Sequence, residues 1–510
     1  MSLNKFTSTL HNDLHTWTVL LSASVVSYWL LPFLHGLFFA PTRNVRGPLL
    51  ARISKWFEYR MVQKGDSNIE YIRLHERFGP IVRVGPTRYS FSNPADVKVI
   101  YELGGKFFKT EFYEPLKSPE PEQQNIFAIR DPNYHKDRRR KIANLYSMST
   151  MVSYEDAVNR MNTICMRKLT EFANEARRVS LPDFMQYYAF DVIGEITFGK
   201  SFQMMENHGD TTGMVKTIHQ ANGYLALTGL IPELHPWFMR LQNLMGSNSG
   251  AANFLKNTFD QLAIHRDANA KGLNIGSSDS FLAKLLHLEA EDKVGMPHIL
   301  DSCGSNIGAG SDTTAISLSA ALYYLYRNPD KLAKLRDEID TMADNGLVSD
   351  PITFQQAQSM PYLQAVIKET LRIHPAVGTI LPRKVPRGGV TLGGTFFPEG
   401  TDVGANAWVL HYSKEIFGDD AAVYNPERWL QPKVESDLRD SMMFAFGAGS
   451  RTCLGKNISL LEINKVLPQI VRNFDFDLGT ADVSETYCAW FVYLKYAAKV
   501  KLRTRKTEMA

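Results

Sequence analysis

The sequence predicts a mainly helical (α+β) domain with small peripheral β-sheets, preceded by one N-terminal membrane-spanning helix. Three observations carry this expectation. Apolar residues recur at three- and four-residue spacing through the middle of the 510-residue chain, strand-like runs are few and short, and one uncharged stretch near the start is long enough to cross a bilayer.

The N-terminal stretch comes first. From Leu14 to Thr42 there is no Asp, Glu, Lys or Arg, and residues 17–39 are apolar enough to span hydrocarbon about 30 Å thick. Trp17, Tyr28 and Trp29 suit an interfacial belt, whereas Pro32 and His35 weaken the helix. Arg43, Arg46, Arg52 and Lys55 follow it and only Lys5 precedes it, so the positive-inside rule leaves the body of the protein in the cytosol. The expected organisation is an anchor over 1–40, a linker over 41–56 and one large domain over 57–510, single-pass in a membrane. A cleaved signal peptide is the alternative. The run is long for one, and no small-x-small site follows it. In this topology the sequon at Asn457 stays unglycosylated.

Within the domain, a strand-like run spans 81–91. Helical periodicity covers 153–178, 182–200, 251–265, 297–327 and 362–374, and further strand-like runs cover 389–397 and 490–503. Asn328-Pro329 and His374-Pro375 are helix stops, because proline disfavours helical backbone in the residue before it. Residues 116–124, 205–215 and 270–280 read as loops able to control access to a site.

Composition excludes several functions. With 44% hydrophobic and 22% charged residues the chain is ordinary globular protein, and a net charge of +4 gives no reason to expect nucleic-acid binding. The four cysteines, Cys165, Cys303, Cys453 and Cys488, are dispersed and form no C-x-x-C, which argues against zinc and against a disulfide framework. H-E-x-x-H and G-x-S-x-G are both absent, so a zinc or serine hydrolase has no support.

One cysteine has an unusual setting. Phe446-Gly447-Ala448-Gly449-Ser450-Arg451-Thr452-Cys453-Leu454-Gly455 leads into a helix. The glycines let the backbone turn tightly and approach a flat ligand, and the helix N-terminus favours a thiolate. Arg451 can pair with an anion. A second unusual string, Ala309-Gly310-Ser311-Asp312-Thr313-Thr314, puts glycine inside a long helix at a cost of about 1 kcal/mol against alanine. That cost suggests something flat packed against the backbone. Asp312 and Thr313 are neighbours and face different ways. Glu369 and Arg372 stand one helical turn apart and can pair, and Pro426-Glu427-Arg428-Trp429 follows.

Taken together, these strings resemble the signatures of the cytochrome P-450 family: the haem-binding segment, with identities at Phe446, Gly449, Arg451, Cys453 and Gly455, the oxygen-activation string, and the supporting charges. The resemblance runs over about 45–505 in family order. It implies haem b with Cys453 as its iron ligand, and Arg451, Arg383, His135 and Arg139 as partners of the haem carboxylates. It also implies Asp312 and Thr313 as the proton-delivering pair, and a buried structural triad of Glu369, Arg372 and Arg428. Ser305, Ala309 and Val377 would line the substrate pocket, with the 106–128 loop and the tip near Trp490 as further candidates. The implied partners are an apolar small molecule, O2 and a membrane-bound flavoprotein reductase that passes on electrons from NADPH. Lys136, Arg138, Arg140, Lys141 and Lys456 form either a solvated face or a docking patch for that donor. ERFGPIVRVGP and NPERWL look most like fungal members of secondary metabolism, the pisatin demethylase group among them, although the usual proline-rich hinge is reduced to Arg46-Gly47-Pro48. Two rival readings stay open: a haem-thiolate isomerase or dehydratase on the same fold, against which Asp312 and Thr313 count, and a tethered binding protein without haem.

Overall fold

The computed structural model describes residues 39–504 except 118–123, 245–257, 268–270, 272–278, 433–436, 438 and 480–484, together with 16–24, 27 and 34. Most of the expected anchor therefore lies outside the described residues. Residues 16–24 are helical, and no helix among the described residues is long and apolar enough to cross a membrane.

Seven helices position the site: α1 (Pro132–Ile142), α2 (Glu155–Asn174), α3 (Leu181–Phe198), α4 (Met214–Thr228), α5 (Met296–Arg327), α6 (Pro361–Ile373) and α7 (Lys456–Asn473). Each expected helix in described residues is present within a few residues of its bounds, and of 251–265 the described part, from residue 258, is helical. The 32 residues of α5 make it about 48 Å long, and it runs through the core with α3 alongside. Gly310 has its reason here. A Cβ added to it would come 3.2 Å from Ile193 of α3, so the glycine lets two helices close together. Local chemistry sets the helix ends. The Ser180 hydroxyl caps α3, Gly199 ends it with φ +69°, and Glu338 accepts from the Tyr362 and Leu363 amides at 2.7 and 2.8 Å at the start of α6. α5 stops at Asn328 and α6 at His374, each before a proline.

The strands are peripheral. β1 (Ile81–Gly85), β2 (Arg88–Phe91), β3 (Phe108–Lys109), β5 (Arg383–Lys384) and β8 (Asp402–Gly404) form a five-stranded sheet in the order β1-β2-β8-β5-β3. The expected strand over 81–91 is thus two strands joined at Pro86-Thr87. β4 (Arg178–Ser180), β12 (Ala497–Leu502) and β9 (Phe474–Asp477) form a second sheet. β6 (Val390–Leu392) with β7 (Thr395–Phe397), and β10 (Glu485–Cys488) with β11 (Val492–Lys495), are hairpins. Within the expected linker, residues 42–46 lie against the first sheet: Arg83 donates to the Thr42 carbonyl at 2.8 Å, and its amide to that of Arg46 at 2.9 Å.

Candidate active site

The cysteine loop is a set of tight turns held from three sides. The Cys453 amide donates to the Phe446 carbonyl at 2.9 Å, and a 3-10 turn, Gly449–Arg451, leads into it. Gly449 has φ +65°, and a Cβ there would lie 2.0 Å from the Tyr101 carbonyl oxygen, so no other residue fits that point. Arg451 donates to the Ile129 carbonyl at 2.7 Å, and Arg139 of α1 to that of Thr452 at 2.8 Å. The thiol is deep inside the molecule and still accessible. Burial pushes it up, and the amides of Gly455 and Lys456 and the Arg139 guanidinium act the other way. A metal cation beside the sulfur would supply the remaining stabilisation that a thiolate needs.

The expected triad forms one buried network. Glu369 and Arg372 are fully buried and Arg428 nearly so. The carboxylate accepts from Arg372 Nη2 at 2.7 Å and Nε at 2.8 Å, from Arg428 Nε at 3.1 Å and from Trp429 Nε1 at 2.9 Å. Arg372 also donates to the carbonyls of His411 and Ala421. His411 links this network to the cysteine segment. Its Nε2 accepts from the Phe444 amide at 2.8 Å, so Nδ1 carries the proton and donates to the Arg372 carbonyl at 2.9 Å. Burial first and Arg372 second lower its pKa to about 3, which keeps the ring neutral.

Cations converge beside this loop. His135 and Arg139 lie one turn apart on α1, and Arg383 stands opposite Lys109 across the β3–β5 pair. Lys109, absent from the sequence expectations, is pushed well below its usual range by burial and by Arg383 and Arg451, with no carboxylate to offset them. His135 is lowered to about 3 by burial and by Arg451, Arg139, Lys109 and Arg383, and Arg451 to about 10 by burial and Arg383. Like charges directly across two strands repel. A buried cluster of this kind calls for an anion, and the two carboxylates of a haem match it. Gly455 adds room: a Cβ there would meet nothing within 4 Å. The residues present therefore fit a haem, with Cys453 on its iron and this cluster on its carboxylates.

Above the loop, α5 presents Ala309 as an exposed residue inside the fold. Thr313 donates from Oγ1 to the Ala309 carbonyl at 2.9 Å. Asp312 turns the other way and is fully buried. It accepts from Gln186 Nε2 of α3 at 2.5 Å, Tyr493 of β11 at 2.6 Å and Asn222 of α4 at 3.2 Å. Ser305 donates to Asp301 at 3.2 Å, so its hydroxyl is engaged on its own helix. Asp301 also accepts from the Ile126 amide and pairs with Arg138 at 3.1 Å with both side chains buried. Arg138 therefore leaves the basic face expected of it, while Lys136, Arg140 and Lys456 remain exposed. Val377 joins an apolar group with Ile316, Leu225 and Phe491. Trp490 stacks on Phe112 at 5.1 Å and meets Tyr113 and Phe127 edge-on, closing this side with aromatic rings.

Sequence spacing brought out the cysteine loop and the Glu369–Arg372 pair, and the family resemblance added Arg428 and the roles of Asp312 and Thr313. Both missed Lys109, Asp301, Gln186, Asn222 and Tyr493, which come from other elements and carry no local motif.

Comparison with known proteins agrees with this geometry. The family described as Cytochrome P450 matches residues 47–502. A pisatin demethylase of Fusarium vanettenii is 43% identical over 494 residues, covering 96% of each chain, and a second from the same organism is 42% identical, covering 96% of this chain and 94% of its own. The cytochrome P450 monooxygenase gsfF of Penicillium aethiopicum is 31% identical over 499 residues, covering 95% of this chain and 99% of its own. A family match over most of the chain, relatives of this similarity and a buried cationic cradle beside an accessible thiol lead to one conclusion: the chain belongs to the cytochrome P450 monooxygenase family, whose cofactor is haem iron.

Proposed function

We propose that the protein inserts one atom of O2 into a C–H bond of a small apolar molecule in fungal secondary metabolism. The observation that carries this is the accessible Cys453 thiol, set before the N-terminus of α7 beside the buried basic cluster of His135, Arg139, Arg383, Arg451 and Lys109. Bound there, haem would supply the oxygen-activating and electron-accepting chemistry, with the Cys453 thiolate as its protein ligand. The chain's own share is positional. Cys453 holds the iron. His135, Arg139, Arg383, Arg451 and Lys109 hold the carboxylates. Ala309, Val377 and the rings around Trp490 orient an apolar substrate and keep out water. Asp312 and Thr313 hold and move protons. Electrons come from NADPH through a flavoprotein reductase docking on the exposed basic face of Lys136, Arg140 and Lys456, and residues 17–39 anchor the chain in the endoplasmic reticulum membrane with the domain on the cytosolic side.

The relatives' name supports a narrower reading, an oxidative demethylation. Hydroxylating the methyl carbon of a methyl ether gives a hemiacetal, which splits into the free hydroxyl compound and formaldehyde. The test is purified protein with reductase and NADPH against methoxylated aromatics, terpenoids and alkaloids, reading oxygen uptake and formaldehyde. A thiolate-type Soret band for the reduced carbon monoxide complex, lost in Cys453→Ala, is the expected spectrum. An unchanged spectrum in that variant overturns the reading, and turnover without oxygen uptake favours the isomerase alternative.

A further inference from the structure

The four partners of Asp312 are not equivalent. Gln186 and Asn222 are amides and do not titrate. Burial and the neighbouring Asp312 charge push Tyr493 upward, so it keeps its proton. The fourth group is His219 of α4, with Nε2 3.6 Å from Asp312 Oδ2, a side chain 41% exposed, and a ring 4.7 Å from that of Tyr493. An imidazole exchanges protons near neutral pH, and this one spans the distance from bulk water to a fully buried carboxylate. The titratable groups it faces are Asp312 of α5 and Tyr493 of β11, and Lys216 stands one turn earlier on its own helix.

We infer that His219 is the inlet through which protons pass from solvent to Asp312. In the transfer the N–H bond at Nε2 of the imidazolium breaks and an O–H bond forms at Oδ2, leaving a neutral ring and a neutral carboxyl. The ring takes its next proton from water. The 3.6 Å gap exceeds a hydrogen bond, so transfer needs a small ring rotation, which the exposed position allows. Gln186, Asn222 and Tyr493 hold the carboxylate still meanwhile. His219 is thus a positioning and relay residue acting through Asp312. The inference rests on the monooxygenase reading and assigns this chain's own route.

Two measurements on the haem-loaded protein decide it. In NMR spectra of 13C-labelled histidines, with His219 assigned by its loss in His219→Phe, Asp312→Asn is expected to move the His219 ring signals, because the carboxylate 3.6 Å from the ring disappears. With reductase and NADPH, His219→Phe is expected to lower product formed per NADPH consumed by about ten-fold and to enlarge the solvent deuterium isotope effect on product formation. Unmoved His219 signals in Asp312→Asn overturn the inference. So does unchanged coupling in His219→Phe, or a loss with an unchanged solvent isotope effect, since packing alone would then explain it. If the wild type takes up no oxygen, the monooxygenase reading fails, and the spectra still decide whether the two groups interact.

Discussion

Replacing Glu369 by glutamine tests the network that ties α6 to the cysteine segment. The carboxylate accepts five hydrogen bonds: two from Arg372 and one each from Arg428, Trp429 and the Asn425 amide. Glutamine keeps the shape and loses the charge. With its oxygen at the Oε1 position, its amide group meets the Arg372 Nε–H and Trp429 Nε1–H donor to donor. Flipped, it leaves three donors facing a donor instead. Arg428 keeps Asp420 as a counter-charge, but Arg372 is left with backbone carbonyls alone. Breaking one side of a buried pair of this kind costs about 3–5 kcal/mol. Glu427 is the control. It binds Lys331, Lys334 and Tyr362 but is 29% exposed, and its conversion to glutamine should cost no more than about 1 kcal/mol. Urea unfolding of the haem-loaded variants, followed by tryptophan fluorescence, gives the comparison, with unfolding rates measured beside it because large proteins often unfold irreversibly. A Glu369→Gln cost within about 1 kcal/mol of the Glu427→Gln cost would refute the reasoning.

Three further outcomes are expected. His411 is neutral in the fold with its pKa lowered to about 3 against 6.5 unfolded, so its contribution is intact above pH 6.5 and is lost as pH falls towards 3. At pH 5 the loss is about 2 kcal/mol, and His411→Gln should remove that part of the difference in urea stability between pH 7 and pH 5; an identical pH slope in the variant counts against it. Gly449→Ala forces a methyl group onto the Tyr101 carbonyl at a left-handed position and should abolish haem retention, measured as the ratio of haem to protein absorbance; full retention contradicts the loop geometry. Glu462 lies fully buried in α7 with no hydrogen-bond partner among the described residues, and burial raises its pKa well above 4.5, so its contribution is present below pH 4.5 and is lost as pH rises. Glu462→Met should stabilise the protein at pH 7 by about 1–3 kcal/mol, and a destabilised variant in thermal unfolding would show that the carboxyl has a partner after all.

What could be read from the chain alone follows the range of the interactions. The Cys453 loop, the Glu369–Arg372 pair and the ends of α5 and α6 are set by residues within a turn or a helical repeat, so spacing reveals them. The partners of Asp312 lie 126 residues before it, 90 residues before it and 181 residues after it, and only the fold brings them together. Lys109 is one lysine in a short edge strand. What marks it is the guanidinium across the ladder, which a linear pattern does not contain. Arg138 looked like one more surface cation because its neighbours are basic, and the buried partner that withdraws it sits 163 residues away. Gly310 was visible as an anomaly, but its cause lay on another helix.

The hairpin of β10 and β11 carries two duties on one short piece of chain. Its tip places Trp490 against Phe112, and three residues later Tyr493 grips Asp312. Selectivity and efficiency are therefore inherited together. A lineage that reshapes the tip to accept a new compound also disturbs the register of Tyr493, and must restore it by compensating change elsewhere. Divergence in this corner is expected to come as paired substitutions, one at the tip and one near Gln186 or Asn222, rather than as single steps.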